Sequence, residues 1–459
     1  SLVGTTTGDF VGAQIQALVN GHYIVQSWFW DDGLIPNVGA VTWADGTQPT
    51  VGAVSTTNSL VGSQNGDRVG YLAAVLTNGN YVVSSPLWNA GTVLDVGAVT
   101  WRNGSGPAPG VVDATNSLVG ESIDDTVGLF TTIGIAPLGV IPLASGNYVV
   151  ASPSWDEGAL ANVGAATFGD GSTGVSGSVS AQNSLVGSSL GDAIAQFIVP
   201  LNDGDYVVAS PFWTARTGAA TFGDGSTGVS GVLDAGNSLV GSQPEDFLTA
   251  FGVYPLDDGG YAVASARWSN GETFRVGAVT RAAPDVGVSG PVSPQNSVVG
   301  VAPNDLAGSR GVVSLPDGDL LVQSALASGL GAVTRIGANA APGTSIVEPV
   351  NSLIGKPGGD RIGTPGASVL PDGAIVLYTA SVAADGAGAV SLFAADDPFR
   401  ANLYEPDTVR SAVQDGGTAL NFAYLADSRT LVVGDPLGNR LVRLTRARLL
   451  RDGFEAPTH

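Results

Sequence analysis

A five-residue segment, Asn-Ser-Leu-Val-Gly, recurs along this chain at intervals of roughly 55 to 60 residues. A period of this length is typical of repeat architectures, in which stacked neighbouring units form the core because one unit cannot bury its hydrophobic face alone. Ser1–Gly4 is the same segment without its Asn. The other copies are Asn58–Gly62, Asn116–Gly120, Asn183–Gly187 and Asn237–Gly241, with altered copies at Asn296–Gly300 and Asn351–Gly355. The pattern predicts one repetitive body.

Each unit contains four short apolar stretches, which we name strands a, b, c and d. In the second unit they are Val69–Leu76, Tyr81–Ser85, Val96–Trp101 and Val111–Val119. The a to b connection, Thr77–Asn80, contains Asn-Gly, a strong signal for a tight hairpin turn. The unit is therefore predicted to form a four-stranded antiparallel sheet.

Counting these strands predicts how many sheets the chain forms. Strands b and c each occur eight times, and strand d also does so if Asp407–Ser411 is accepted as a degenerate copy. No d segment follows the last c strand, whereas Ser1–Gly4 is a spare one. We therefore predict an all-β, eight-bladed β-propeller of four-stranded antiparallel blades, closed by Ser1–Gly4 completing the last blade. It is predicted to be one domain, residues 1–459, with units 1–57, 58–115, 116–182, 183–236, 237–295, 296–350, 351–406, and 407–459 joined by 1–4.

The composition limits the classes of partner and site. A formal charge of -22 and a pI near 4.1 argue against nucleic acid and anionic membranes as partners, because any approach begins with repulsion. There is no Cys, so disulfides and thiolate metal sites are excluded. No apolar run approaches the ~20 residues that span a bilayer, so membrane insertion is not expected. The acidic, Gly-rich, Cys-free composition favours a secreted or surface-exposed bacterial protein.

The second unit resembles a known repeat family. Leu60–Gly70, Leu76–Pro86 and Gly97–Trp101 are similar to the FG-GAP repeat of integrin α-subunit propellers and their bacterial relatives, which implies a propeller fold. The Asn-Ser-Leu-Val-Gly copies also resemble repeats of secreted bacterial filamentous-haemagglutinin-like proteins. Integrin propellers have seven blades and an Asp-x-Asp-x-Asp-Gly calcium loop, to which the nearest turn here is Asn202–Asp205. The cofactor prediction is therefore none, with calcium left open.

Two residue types recur where a binding site could form. An Asp follows most d segments, at Asp9, Asp67, Asp125, Asp192, Asp246, Asp305 and Asp360, and is expected to accept backbone N–H bonds in the d to a crossover. A Trp follows strand b at Trp30, Trp88, Trp155, Trp213 and Trp268. These Trp either pack between blades or offer sugar-stacking platforms beside the acidic b to c loops, where Asp31 and Asp156 stand. The candidate ligand-binding set is these five Trp with Asp31 and Asp156.

The functional hypothesis is a non-enzymatic recognition or adhesion propeller that binds a glycan or protein partner through its b to c and d to a loops, which antiparallel order places at one end of each blade. His22 and His459 are the only histidines, which leaves a Ser-His-Asp site without support. One alternative is a structural subunit or spacer of an extracellular filament or large exoprotein that binds copies of itself. A second is a carboxylate-dependent glycan-active enzyme. An apolar insertion near Leu129–Ile141 is either a plug or a partner-binding loop.

Overall fold

A computed structural model describes residues 1–129, 139–324, 330–344, 346–348, 351–355, 362, 365–382, 387–393, 408–410, 420–425, 430–435 and 440–445. Most of the predicted insertion, Asp360 and His459 therefore lie outside the described residues. The chain divides into two compact units, Ser1–Val240 with Pro284–Gly290, and Gly241–Ala283 with Pro291–His459.

The described residues are almost entirely β-strand and turn, and they contain eight successive sheets built on an a, b and c meander. The a strands are Gln14–Ala17, Leu72–Val75, Val140–Pro142, Phe197–Pro200, Val253–Pro255, Val312–Ser314, Pro365–Val369 and Asn421–Leu425. The b strands are Tyr23–Ser27, Tyr81–Ser85, Tyr148–Ser152, Tyr206–Ser210, Tyr261–Ser265, Leu320–Ser324, Ile375–Val382 and Thr430–Asp435. The c strands are Ala40–Ala44, Ala98–Arg102, Ala165–Gly169, Ala219–Gly223, Ala278–Ala282, Ala332–Ile336, Ala387–Phe393 and Arg440–Thr445.

The d strands are the recurrent segments themselves, and each pairs antiparallel with the c strand before it. They are Ser59–Val61, Leu118–Val119, Ser184–Val186, Leu239–Val240, Val298–Val299, Ser352–Ile354 and Thr408–Arg410. The last of these pairs with the seventh c strand, with Val409 opposite Val390, so the degenerate copy at Asp407–Ser411 does act as strand d.

The predicted d stretch was too long, because it combined two separate strands. Gly110–Val111 forms no part of the second sheet; it lies parallel to Ser59–Val61 of the first sheet as an outer fifth strand. We name such two-residue strands e: Gly52–Ala53, Gly110–Val111, Gly177–Ser178, Gly231–Val232 and Gly290–Pro291. Sheets one to four thus have five strands rather than four, the fifth being donated by the following repeat.

The first three residues of the recurrent segment each have a structural role, shown here for the second sheet. The Asn116 side chain donates to Val111 O at 2.8 Å and accepts from Asp113 N at 3.2 Å, which ties strand e to strand d. The Ser117 hydroxyl lies 2.7 Å from Thr100 Oγ1 of strand c, in a buried hydrogen bond. Leu118 is completely buried. The same Thr–Ser pair recurs as Thr42–Ser59, Thr167–Ser184, Thr221–Ser238, Thr280–Ser297 and Thr334–Ser352.

The glycine that precedes strand c is required by a close approach of two backbones. Gly97 has a φ of 77°, in the left-handed region, and a Cβ at this residue would lie 2.2 Å from Val127 N. A side chain at this position would therefore be both strained and blocked by the backbone of the next repeat.

The hydrophobic core lies between successive sheets. In the first compact unit, one cluster joins Ile24 and Val41 of the first sheet to Tyr81 and Val83 of the second. Further clusters join the second sheet to the third and the third to the fourth. In the second compact unit, equivalent clusters join sheets five to eight in sequence. Each fully buried side chain of this kind contributes ~1.5–3 kcal/mol, so the sheets stabilise one another.

The N-terminal segment behaves as a d strand. Leu2–Val3 pairs in parallel with strand e of the first unit, Gly52–Ala53, as every other paired d strand does with its e strand. Leu2 also packs on the cluster around Trp30 and Val38. Among the described residues, Leu2–Val3 belongs to a two-stranded sheet, and the eighth sheet has three strands.

In the described ranges, helix is confined to one turn, Trp213–Arg216, in which Thr214 and Ala215 have positive φ values. Within the part of the chain that the structure describes, no helix is long and apolar enough to cross a membrane.

Candidate functional site

The b to c and d to a loops meet at one end of the sheets in the first compact unit; we call this the loop end. It comprises b to c loops 31–37, 89–95 and 156–162 and d to a loops 63–68, 121–126 and 188–193. Asp124 N donates to Leu94 O at 3.2 Å, which joins a b to c loop to the following d to a loop. The same bond recurs from Gly66 N to Pro36 O and from Gly191 N to Ala161 O. These loops therefore form one continuous rim.

The recurrent Asp of each d to a loop holds the rim together. Asp67 Oδ2 accepts from Ser63 N at 2.8 Å and from Gln64 N at 2.9 Å. Its Oδ1 accepts from the backbone and side chain of Asn89, which begins the next b to c loop. The predicted turn role is confirmed, since Asp9, Asp125, Asp192, Asp246 and Asp305 accept the equivalent turn bonds.

These Asp residues differ in ionisation although they occupy equivalent positions. Burial raises the pKa of Asp67, Asp125 and Asp246, and the hydrogen bonds that they accept only partly offset it. Burial also raises the pKa of Asp9, but hydrogen bonds from Thr6 and Thr5 outweigh it, and the net shift is downward. The Thr6 hydroxyl donates one of these bonds, to Asp9 Oδ1.

The predicted Trp set lies mainly inside the molecule. Trp30, Trp88, Trp155 and Trp268 are buried, and Trp213 is half-buried against the core of sheets three and four. Rings this well covered leave almost no face for a sugar, so packing between sheets accounts for their recurrence. The expectation of exposed Trp platforms is therefore corrected for these four rings. They are buried because the b to c loop folds back over strand b, as when Gly97 N donates to Trp88 O.

Asp31 and Asp156 lie at the loop end and close their own loops. Asp31 Oδ1 accepts from Asn37 N at 2.8 Å, and Asp156 Oδ1 accepts from Asn162 N at 2.7 Å. Asp31 Oδ2 also accepts from the Thr6 hydroxyl at 2.9 Å. Both carboxylates are half-buried, and their observed hydrogen bonds shape the loops.

Exposed apolar side chains at the loop tips are a feature that the sequence reasoning missed. Leu94 is 53% exposed, and the bond from Asp124 N to Leu94 O joins its loop to the one that carries the exposed Ile123. One repeat further on, the bond from Gly191 N to Ala161 O joins the loop that carries Leu160 to the loop that carries Leu190, which is 72% exposed. Leu34 is fully exposed at the first b to c tip. The sequence does contain a signal for this exposure: an apolar residue follows the Gly of each of these b to c loops, at a position where turns ordinarily have polar residues.

A cavity of about 320 Å³ opens at the same end, between the third and fourth sheets. Its wall includes both loops of that junction and Leu129, the last described residue before the predicted insertion. The lining residues are Thr126, Leu129, Pro153, Ser154, Asn162, Gly191, Ala193 and Gln196. The cavity and the apolar tips together make the loop end the candidate interaction surface.

A carboxylate cluster stands at the opposite end, in the turn that was singled out as nearest to a calcium loop. Asp203, Asp205 and Asp285 each offer an oxygen within 4.8 Å of the others, the spacing that a cation such as calcium requires. Burial, followed by repulsion from Asp203, Asp224 and Asp285, raises the pKa of Asp205. These are the residues that could hold a metal ion among those that the structure describes.

His22 has a structural setting in an a to b turn. Its ring lies 4.7 Å from that of Trp43, and Nδ1 lies 3.4 Å from Asp45 Oδ1.

Comparison with known proteins places the chain in one family. A sequence profile described as a repeat of unknown function (DUF5650) matches residues 17–71, 75–129, 142–196, 200–250, 255–309 and 315–364. No curated protein sequence matches the chain. The six matches follow the first six sheets and cover more than two thirds of the 459 residues. The chain therefore belongs to the DUF5650 repeat family.

Proposed function

We propose that the chain is a non-enzymatic recognition or adhesion protein, secreted or surface-exposed, that binds a protein partner through the loop end. The observation that carries this proposal is the set of exposed apolar side chains in loops that are hydrogen-bonded to each other, Leu94 and Ile123 at one junction and Leu160 and Leu190 at the next. Apolar side chains grouped on a surface are the usual anchors of protein interfaces, because burying them removes apolar area from water.

A protein suits this surface better than a glycan does. Glycan sites rely on open aromatic faces, and four of the five predicted Trp rings are buried. The tips are instead flanked by exposed carboxylates, as at Asp32, Asp124 and Glu157. The complementary partner is a surface with apolar side chains surrounded by Lys and Arg.

We also propose the arrangement in which this surface is presented. The eight sheets are the blades of a closed propeller, as the resemblance to FG-GAP repeats implies, and Ser1–Gly4 supplies the missing d strand of the eighth blade. The pairing of Leu2–Val3 with strand e of the first unit supports the assignment of Ser1–Gly4 as a d strand. We also propose that Asp203, Asp205 and Asp285 can bind a calcium ion.

The test compares two sets of substitutions that add the same kind of charge. Leu94→Asp, Leu160→Asp and Leu190→Asp together change the loop end, whereas Val111→Asp and Val232→Asp change exposed residues of two e strands. Binding to a panel of immobilised extracellular proteins and to a glycan array is measured with and without calcium, after matched melting temperatures show that both variants are folded.

The proposal expects a protein ligand whose binding is lost in the loop variant and kept in the e-strand variant. A glycan ligand with the same pattern would replace the protein partner but keep the surface. Equal binding by both variants would refute the loop end as the site. Self-association, the alternative function, would instead appear in sedimentation velocity as concentration-dependent oligomers that the loop variant abolishes.

A further inference from the structure

A second cavity, of about 200 Å³, lies at the end of the sheets opposite the loop end, where strand c of the second sheet finishes. One wall is Trp101 and Arg102, and the others come from the turn before strand d and from the c to d turn of the third repeat. The lining residues are Trp101, Arg102, Thr115, Asn116, Thr173, Gly174, Val175 and Ser176. This site is separate from the proposed interaction surface, so the inference below goes beyond the proposed function.

Arg102 is specific to this repeat. It pairs with Tyr81 of strand b, and the equivalent partner of the b-strand Tyr is Ala44 in the first sheet and Gly169 in the third. The fourth and fifth sheets have Gly223 and Ala282 there. Because neighbouring sheets form with a small residue at this position, the fold does not require the guanidinium. Its presence at a cavity points to a ligand.

The Arg102 guanidinium is only partly used by the protein. It is half-buried, and Nη1 donates to Trp101 O at 2.9 Å. Among the described residues it makes no ion pair within 4.0 Å, whereas Arg281 and Arg335 each bind an Asp. A guanidinium has five N–H donors in a planar fork that fits a carboxylate, and a partly buried cation gains free energy when an anion pairs with it.

Among the described carboxylates, Asp113 is the one that interacts electrostatically with Arg102, and it is hydrogen-bonded within its own turn. Its Oδ1 accepts from the Thr115 hydroxyl at 2.6 Å and from Thr115 N at 2.8 Å. These hydrogen bonds lower the pKa of Asp113, so it stays ionised and bound to its own turn. Asp113 therefore reduces the positive potential near the cavity, but it forms no ion pair with Arg102.

The remaining walls suit a sugar ring. Trp101 is half-buried and is held by a 2.9 Å bond from its Nε1 to Gly171 O, so its ring is fixed at the cavity. Gly174 backs onto Trp101, where a Cβ would lie 2.6 Å from Trp101 Cβ. Thr173 and Ser176, each of which carries a hydroxyl, line the same space. A fixed aromatic wall with nearby hydroxyls is typical of a site for a small polyol ring.

We propose that this cavity binds a carboxylated monosaccharide of the hexuronic acid class. The carboxylate pairs with the free N–H donors of Arg102, the C–H face of the pyranose lies against Trp101, and the sugar hydroxyls bond to Thr173 and Ser176. The volume is below the ~300–1,000 Å³ of sites for drug-sized ligands, which limits the ligand to about one sugar ring.

The experiment titrates sodium glucuronate into the full chain by isothermal calorimetry, with glucose as the uncharged probe of similar shape. Arg102→Ala is the test variant, because Ala44 shows that the sheet accepts Ala at this position. Arg216→Ala, at an exposed Arg of the fourth repeat, is the matched control for loss of one positive charge.

The expected result is saturable binding of glucuronate, no comparable binding of glucose, and affinity about tenfold weaker or worse in R102A but unchanged in R216A. Absence of glucuronate binding to the wild-type chain would overturn the proposal. So would glucuronate binding that R102A leaves intact, or equal losses in R102A and R216A, because each would mean that the guanidinium does not recognise the carboxylate.

Discussion

At the scale of single residues, the recurrent Asp shows how equivalent positions in two repeats can have pKa shifts of opposite direction. Asp67 and Asp9 accept the same two turn hydrogen bonds, yet the pKa of Asp67 is raised and that of Asp9 is lowered. Each carboxylate accepts four hydrogen bonds and burial raises the pKa of both, but Asp67 is more deeply buried than Asp9, so burial prevails only at Asp67. The repeat therefore fixes the geometry, and the depth of burial decides the direction of the pKa shift.

This difference predicts opposite pH dependence for Asp67→Asn and Asp9→Asn. The folded-state pKa of Asp67 lies above the unfolded value of about 3.9, so wild-type stability rises as pH falls towards that value, and the loss caused by D67N is larger near pH 3.5 than at pH 7. Asp9 has a lowered pKa, so its stabilisation is present above about pH 3.9 and is lost as pH falls further. The loss caused by D9N should therefore be smaller near pH 3.5.

The measurement is the melting temperature of each variant relative to wild type at the two pH values. Each variant is the other's control, because both remove one carboxylate from the same turn. If the loss of melting temperature grew at low pH in both variants, or shrank at low pH in both, the assigned pKa shifts would be contradicted.

How far single residues could be predicted depended on whether neighbours in space were also neighbours in sequence. The turn role of the Asp was predictable because Ser63 and Gln64 lie within four residues of Asp67. The exposure of Leu94 was not, since an apolar residue in a sequence is ordinarily assigned to the core. The burial of Trp88 was not predictable either, because the loop that covers it is positioned by contacts with the next repeat, which is distant in sequence.

At the scale of elements, the outer strand e is what links one repeat to the next. Strands b and c were predictable from their alternating apolar residues, as in Tyr81–Ser85. Strand e was not, because Gly110–Val111 is adjacent in sequence to its own d strand but pairs with the d strand of the preceding sheet. A strand of two residues with one apolar side chain gives no periodic signal. The sequence pattern therefore predicts a single strand over Val111–Val119.

Asn116→Ala is predicted to weaken this link. The substitution removes the bond from Asn116 Nδ2 to Val111 O and the acceptor for Asp113 N and Ser117 Oγ. Three net hydrogen bonds of ~0.5–1.5 kcal/mol each amount to about 1.5–4.5 kcal/mol of stability. Asn103→Ala is the matched control, since the exposed Asn103 accepts a single turn bond from Ser105 N.

Urea unfolding monitored by Trp fluorescence would measure both variants. A clear loss in N116A with a change of under about 1 kcal/mol in N103A is expected. Equal losses in the two variants would show that the Asn of the recurrent segment is an ordinary turn residue and that strand e does not depend on it.

At the scale of the whole molecule, we propose that the eight sheets close into a ring through the N-terminal d strand. The eight-fold count follows from the b and c strands, all of which lie in the described sheets. Closure rests on two complementary observations: Leu2–Val3 pairs as a d strand does, and the eighth sheet has strands a, b and c.

The absence of cysteine from the chain allows a direct test by engineered disulfides. Leu441→Cys is combined with Leu2→Cys in one variant and with Val3→Cys in another. Successive residues of a strand point to opposite faces, and directly opposed residues of antiparallel strands are close enough for a disulfide, so closure predicts that one pair crosslinks and the other does not. Val3→Cys with Ala53→Cys is the positive control, because these residues are opposite each other in the N-terminal sheet.

The decisive measurement is the fraction of each purified variant that becomes crosslinked on mild oxidation, read as a mobility shift on a non-reducing gel. A closed ring predicts efficient crosslinking in one of the two Leu441 pairs, comparable with the control pair. Crosslinking of the control pair alone, with neither Leu441 pair reacting, would contradict closure by the N-terminal strand.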